Sequence, residues 1–388
     1  MFDGVLARGP VRDAVGDRAF LQAMLDFEAA LAEGHARQGR IPEEDARAIA
    51  AACRADAFDV SRVGELAADT GNPVMPIVAA LRTAVGDRVA DSVHLGATSQ
   101  DVIDTATMIV AKHAMGFVLD DLRASADAAA ALAVDHRATL MPGRTLLQRA
   151  APVTFGLKAA GWCTALDQAE VRLREVRGAR LALQLGGGTG TLAAMWPDGA
   201  ALATDVARTL GLAEPVLPWH TDRTRIAELA GALGEAAGAV AKPALDVVLL
   251  AQTEVGEVHE GVAGRGGSTA IPGKDNPVAA ISALASGRRA PSLVGELLAA
   301  SVHEHERAAG AWHAEWLPLR ELLSSVGSAA AWVRDCLGAL VVDPDRMLGN
   351  LRGFGQPDLA EEADVVAACG ALVQRALDAH GRSRERDA

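Results

Sequence analysis

The chain has 388 residues, half of them hydrophobic, yet only 3% are aromatic and none is tyrosine. A core of alanine, leucine and valine suits closely packed helices better than a sheet sandwich. The formal net charge is −13 and the only dense basic run is the closing GRSRERDA, which argues against nucleic acid as a partner; an anionic substrate would need a local cationic pocket.

The opening MFDGVLARGPVRDAV carries charges where a secretion signal needs an apolar run, and no uninterrupted apolar stretch has membrane-spanning length. Cys53, Cys163, Cys336 and Cys369 are far apart and follow no metal-ligand spacing, as expected of free thiols in a reducing compartment. The expectation is a soluble, cytoplasmic protein with no metal and no membrane contact. Residues 18–55 repeat apolar positions at helical spacing, with Leu21, Met24, Leu25, Ala29 and Leu31 on one side. GNPVMPIVAALRTAVG breaks at Gly71, Pro73 and Pro76 and then restarts as a helix. A helical pattern runs from about 97 to 137, LMPGRT forms a loop, and a further helix extends to about 184. LQLGGGTGTLAAM superficially resembles a dinucleotide-binding turn, but no strand precedes it, so it reads as a flexible turn between helices.

Residues 222–262 form the longest helical pattern, interrupted by Pro243 alone, with Leu245, Val248, Leu249, Gln252 and Val255 on one face. Two more helices lie between 277 and 340, and a short, less hydrophobic segment closes the chain from about 342 to 380. No alternating pattern is long enough to found a sheet. The fold expected is all-α: an N-terminal helical domain over 1–95, a central long-helix bundle over 96–340 and a C-terminal helical segment over 341–388.

Four stretches carry polar groups that chemistry can use. In HLGATSQDVIDT, Thr98, Ser99 and Asp101 precede a helical run; they are natural caps, and two hydroxyls at a helix N-terminus also suit a carboxylate. In PGRTLLQRAAP, Thr145 and Gln148 offer neutral hydrogen bonds while Arg144 and Arg149 supply charge; helical winding would put Thr145, Gln148 and Arg149 on one face. GRGGSTAIPGKDNP, residues 264–277, is too rich in glycine and proline for a helix. Its Ser268, Lys274 and Asn276 sit among backbone N–H groups that glycine can aim at an anion, which would ease proton loss from the serine. HEHERAAGAWHAEW places His303, Glu304, His305, Glu306, Arg307, His313 and Glu315 together, but His303 and His305 would face different sides of a helix. It reads as a polar helix rim at a cleft or subunit contact and not as zinc.

In this order, the stretches resemble the fumarase/aspartase superfamily, whose signature loop GSSxMPxKxNP corresponds to GSTAIPGKDNP here. MLDFEAALA, GNPVMPIV, HLGATSQDVIDT, LPWHTDRTRIAE, QTEVGEV and HERAAGAWHAEW resemble its bacterial 3-carboxy-cis,cis-muconate cycloisomerase branch, over roughly residues 1–350. The resemblance implies a long helical bundle, a homotetramer with each active site built from three subunits, a small polycarboxylate substrate and no cofactor. It makes Ser268 the proton-transferring serine. Lys274 and Asn276 would bind a substrate carboxylate, Thr98 and Ser99 a second, and Thr145 and Gln148, beside Arg144, a third group. Arg149, His94 and Arg307 are further candidates. The implied reaction closes a γ-lactone through an aci-carboxylate intermediate.

Departures bear on the substrate. Leu146 stands where many superfamily members have histidine and cycloisomerases a tryptophan, and Arg149 replaces an expected histidine. Thr269 and Ile271 replace serine and methionine, PGK with Gly273 is closer to fumarase or aspartase than to the cycloisomerase PHKR, and Asp275 replaces an expected arginine beside Lys274. The resemblance also implies a shortened C-terminal helical domain. A lyase that eliminates an amine or another group from a succinyl-type substrate, and a helical oligomer without activity, are the other two readings.

Overall fold

The computed structural model describes residues 1–353 and 359–385 of the chain. The elements that position the site are α1 (Asp17–Arg37), α2 (Ser99–Asp135), the hairpin β1 (Leu140–Thr145) and β2 (Gln148–Thr154), α3 (Phe155–Ala179) and α4 (Thr224–Leu250). They continue with β3 (Val258–Glu260), α5 (Val278–Gly287), α6 (Ala290–Ala299), α7 (Ala311–Gly338), β4 (Leu340–Val342), α8 (Pro344–Arg352) and α9 (Leu359–Glu385).

The bundle is built around α2, which packs against α1, α3 and α7, while α4 packs against α3, α5 and α7. The composition explains the close packing. Ala106, Ala111, Ala114, Ala126, Ala129 and Ala133 of α2 are fully buried, and such small side chains let neighbouring helices approach. Leu21, Met24, Leu25 and Leu31 of α1 are buried as the periodicity predicts. The helix ends at Arg37, however, and a second helix begins only at Glu43, after Gly39 with φ 69° and Pro42. All four cysteines are free thiols. The fold is all-α as expected.

Several expectations change. α2 is the longest helix among the described residues, at 37 residues, and it is apolar enough to cross a membrane; most of that stretch is buried inside the bundle. α4 stops at Leu250, where Gln252 accepts from the Gly256 N–H at 2.7 Å and Gly256 takes φ 60°. Leu245, Val248 and Leu249 lie on its half-exposed side, and Val240, Ala244, Val247 and Leu250 face the core instead. Three helices, not two, occupy the span after the glycine loop. Residues 301–310 form a loop before α7, so His303, His305 and Arg307 are not on a helix rim.

The loop-then-helix expected at 140–154 is an antiparallel hairpin, with Thr145 opposite Gln148 and Arg144 opposite Arg149. Leu146 and Leu147 form its two-residue turn with φ 51° and 62°, the left-handed backbone that a hairpin twist requires and that asparagine or glycine normally supplies. Strand geometry alternates side chains, so Thr145 and Gln148 share a side while Arg149 joins Arg144 on the other. The helical face proposed for Thr145, Gln148 and Arg149 therefore does not form.

Candidate active site

The sequence-predicted residues gather in three places. The first is the N-terminus of α2. Thr98 is its extended N-cap, and the Thr98 N–H donates to Asp101 Oδ2 at 3.0 Å. Asp101 has no exposed surface and collects further donors: Gly186 N–H at 3.0 Å, His220 Nε2 at 2.6 Å and Gln184 Nε2 at 3.5 Å on Oδ1, and Gly187 N–H at 2.9 Å on Oδ2. An ionised carboxylate only accepts, so His220 holds its proton on Nε2 here. The glycine-rich stretch at 183–195 is a connection between helices, as expected, and its glycines bring backbone up to this carboxylate. A Cβ on Gly186 would lie 2.8 Å from both His220 and Pro218.

Arg307 joins the same place, donating to Gln100 Oε1 at 3.1 Å and to the carbonyls of Gly187 and Gly188 at 2.8 and 2.9 Å. Thr98 and Ser99 are half-buried beside it. His94 has φ 61° and pairs through Nδ1 with Glu28 Oε1 at 2.6 Å. Burial alone would push the imidazole down, but the Glu28 hydrogen bond and charge, with Asp101 nearby, outweigh it and hold His94 above its ordinary range.

Behind this surface lies a buried network that the sequence did not reveal. Arg223 forks onto Asp104 with Nη1 at 2.8 Å and Nη2 at 3.1 Å, and onto Glu315 with Nη2 at 2.6 Å. Trp312 Nε1 donates to Asp104 Oδ1 at 3.0 Å. Burial raises Glu315 even beside that guanidinium. Only the charge of Arg223 was visible in the TDRTR segment; its partners are distant in sequence.

The second place is the hairpin. Arg144 makes a bidentate pair with Glu257 at 2.9 and 2.6 Å, and Asn350 Nδ2 donates to the same carboxylate at 2.9 Å. Arg149 Nη1 donates to the Asn350 carbonyl at 2.8 Å. Both arginines thus hold the hairpin to α8 and to the QTEVGEV turn, while Thr145 and Gln148 stay exposed near the tip.

The third place is the glycine loop. Ser268 Oγ accepts the N–H groups of Ala270 at 3.3 Å and Ile271 at 3.1 Å. Asn276 Nδ2 donates to the Gly266 carbonyl at 2.6 Å and closes the loop at its base. Gly266 has φ 89°, and a Cβ there would lie 2.6 Å from the Asn276 carbonyl oxygen, so only glycine fits. Lys274 and Asp275 are exposed. Glu260, just before the loop, caps α5 by accepting the N–H groups of Ala279 and Ala280 at 3.0 and 2.9 Å.

One chain does not unite these places. Thr98 stands at the start of α2 and the hairpin follows its end. A helix of 37 residues is about 55 Å long and the ten residues from its end to Thr145 span at most about 34 Å, so Thr145 stays more than about 20 Å from Thr98. The glycine loop belongs to the hairpin's half of the bundle, since Gly261 N–H donates to the Ala339 carbonyl beyond the end of α7, whose other end meets Asp104.

The lyase family model matches residues 6–288. A 3-carboxy-cis,cis-muconate cycloisomerase of Pseudomonas aeruginosa is 46% identical over 372 residues, covering 95% of this chain and 81% of that protein. A nitrosuccinate lyase of Streptomyces davaonensis is 43% identical, covering 93% of this chain and 79% of that protein. The crystal structure of 3-carboxy-cis,cis-muconate lactonizing enzyme from Pseudomonas putida superposes with a TM-score of 0.90 at 34% identity, covering 99% of both chains. Matched over most of its length by sequence and over nearly all of it by structure, the chain belongs to the fumarase/aspartase superfamily of lyases and is an enzyme of that superfamily.

Proposed function

We propose that the protein is a cytoplasmic 3-carboxy-cis,cis-muconate cycloisomerase of aromatic catabolism, working as a homotetramer with Ser268 as the proton-transfer group. One carboxylate oxygen of the substrate bonds to an alkene carbon and closes the lactone. The displaced electron pair moves to the neighbouring carboxylate as an aci-carboxylate, and the Ser268 hydroxyl delivers a proton to the α-carbon. The serine recovers its proton from solvent while the attacking carboxylate loses its charge, so one proton is taken up overall and substrate and product are isomers as free acids.

The observation that carries the mechanism is the pair of backbone N–H groups on Ser268 Oγ. Donors aimed at that oxygen stabilise the alkoxide left when its proton transfers. Lys274 adds charge for a substrate carboxylate. Thr98 and Ser99 offer hydroxyls at a helix N-terminus for a second, and Thr145 and Gln148 present neutral hydrogen-bonding groups for a third. His94, Arg144, Arg149 and Arg307 position these groups through the contacts described above. Because the three places are far apart within one chain, the pocket is completed by segments of other copies.

A second reading has its own support. Asp275 reverses a charge beside Lys274 relative to the cycloisomerase loop, and the nitrosuccinate lyase shows that this level of similarity also reaches an eliminating enzyme. The test is the loss of diene absorbance of 3-carboxy-cis,cis-muconate with wild type and Ser268→Ala. Cycloisomerase activity in wild type, reduced by about 10²–10⁴-fold in the variant, is expected. An inactive wild type that eliminates a group from a succinyl-type substrate would replace the reading, and an active Ser268→Ala would remove the serine from it.

A further inference from the structure

Away from the three places above, α9 lies along α3 and brings together side chains that the sequence keeps far apart. Cys163 and Asp167 are one turn apart on α3, and His380 of α9 meets them from a position 213 residues beyond Asp167. Their Sγ, carboxylate oxygen and imidazole nitrogen all lie within 4.8 Å of one another. We infer that Cys163, Asp167 and His380 form a binding site for a divalent cation of the zinc class, which fastens α9 to α3.

Two of the three ligand separations are close to those the ion requires, and the thiol and imidazole lie within 4.8 Å of each other. His380 Nδ1 is 2.9 Å from Asp167 Oδ2, and Cys163 Sγ is 3.7 Å from the same oxygen. Tetrahedral zinc with bonds of about 2.0–2.1 Å to nitrogen and oxygen and about 2.3 Å to sulfur needs ligand separations of about 3.3 and 3.6 Å. The imidazole has to retreat by a few tenths of an ångström, within the rotational freedom of one side chain. Thiolate, carboxylate and imidazole are also the donor set this class of ion prefers.

The surroundings supply what a metal ligand set needs. His380 Nε2 is 3.2 Å from Asp127 Oδ1 of α2, so the imidazole can keep its proton on that side and turn the Nδ1 lone pair to the metal. Arg384 approaches Asp167 through Oδ1 at 3.4 Å and Asp127 Oδ1 at 2.9 Å, leaving Asp167 Oδ2 facing the thiol and imidazole. A groove of about 470 Å³ between α3 and α9, lined in part by Thr164, Asp167, Ala379 and Ser383, reaches the Asp167 side of the cluster and offers an entry path.

The step balances. The thiol releases one proton to solvent, the imidazole coordinates through Nδ1 with its one proton on Nε2 toward Asp127, and the ion's two positive charges meet one thiolate and one carboxylate. Without the metal, the Cys163 thiol donates to Asp167 Oδ2 at 3.7 Å.

The experiment uses the full chain, stripped of metal by chelator and free of any histidine tag, titrated with Co²⁺ and then Zn²⁺. Expected are one equivalent bound per chain, a near-ultraviolet thiolate-to-cobalt band and a rise in Tm. His380→Gln, which keeps a hydrogen-bonding group toward Asp167, should weaken binding by 10–100-fold and erase the Tm rise, with helix content unchanged by circular dichroism. Cys163→Ser should remove the thiolate band. If Cys163→Ser does not fold, His380→Gln decides alone. Absence of the band in wild type, or affinity unchanged in His380→Gln, overturns the site.

Discussion

Asp101, Arg223 and His94 govern the α2 end of the molecule in different ways. Asp101 draws the helix start, the glycine connection and His220 onto one carboxylate, so it positions Thr98 without needing to touch a substrate. Arg223 neutralises two buried carboxylates. Removing it in Arg223→Leu leaves Asp104 and Glu315 facing each other in the core, and a loss of about 3–5 kcal/mol is expected in denaturant unfolding. His94 gives a pH signature. Its protonated form is favoured in the folded state, so its stabilising contribution is complete below the unfolded value of about 6.5 and fades as pH rises through the higher folded value. Unfolding midpoints measured across pH 5–9 should show that decline in wild type, and His94→Gln should lack this component.

Among the elements, the β1–β2 hairpin departs furthest from its sequence. Its turn residues are leucines, 96% and 75% exposed, held in left-handed backbone without the asparagine or glycine that would announce a hairpin. Nothing local favours that geometry, so the Arg144–Glu257 pair and the Arg149 contact with α8 fix it from outside. Replacing the turn by Asn-Gly (Leu146→Asn with Leu147→Gly) should relieve strain of about 1–3 kcal/mol and raise the unfolding midpoint. The same change should weaken self-association if the leucines cover a partner, which sedimentation velocity reads separately. The glycine loop behaves oppositely: its composition announced a loop with special backbone. Gly266→Ala should displace the loop and lower kcat at least tenfold while Tm changes little, because the loop is mostly exposed.

At the scale of the whole molecule, α2 sets the distance problem. The proposed pocket needs Thr98 and Ser268, which sit toward opposite ends of one bundle, so it needs more than one copy. Mixing Thr98→Ala with Ser268→Ala after dissociation and reassembly should regain activity that neither variant has alone, because some pockets then receive both intact segments. No recovery from mixed oligomers of confirmed composition would place the pocket within a single chain.

The sequence alone determined the class and the family. Alanine-rich periodicity can only be satisfied by close helix packing, and the ordered motifs around Thr98, Arg144 and Ser268 are long enough to identify the superfamily by likeness. The N-cap at Thr98 and the glycine loop were legible because their causes are local: an extended cap and a backbone that only glycine adopts. Tertiary structure decided the rest. The hairpin, the Arg223 network and the Cys163–Asp167–His380 cluster depend on partners more than 90 residues away or on neighbouring elements, for which no local pattern is required. Periodicity reports which face of a segment is apolar; only packing decides whether that face meets the core, and in α4 Leu245 turned out to lie on the other side.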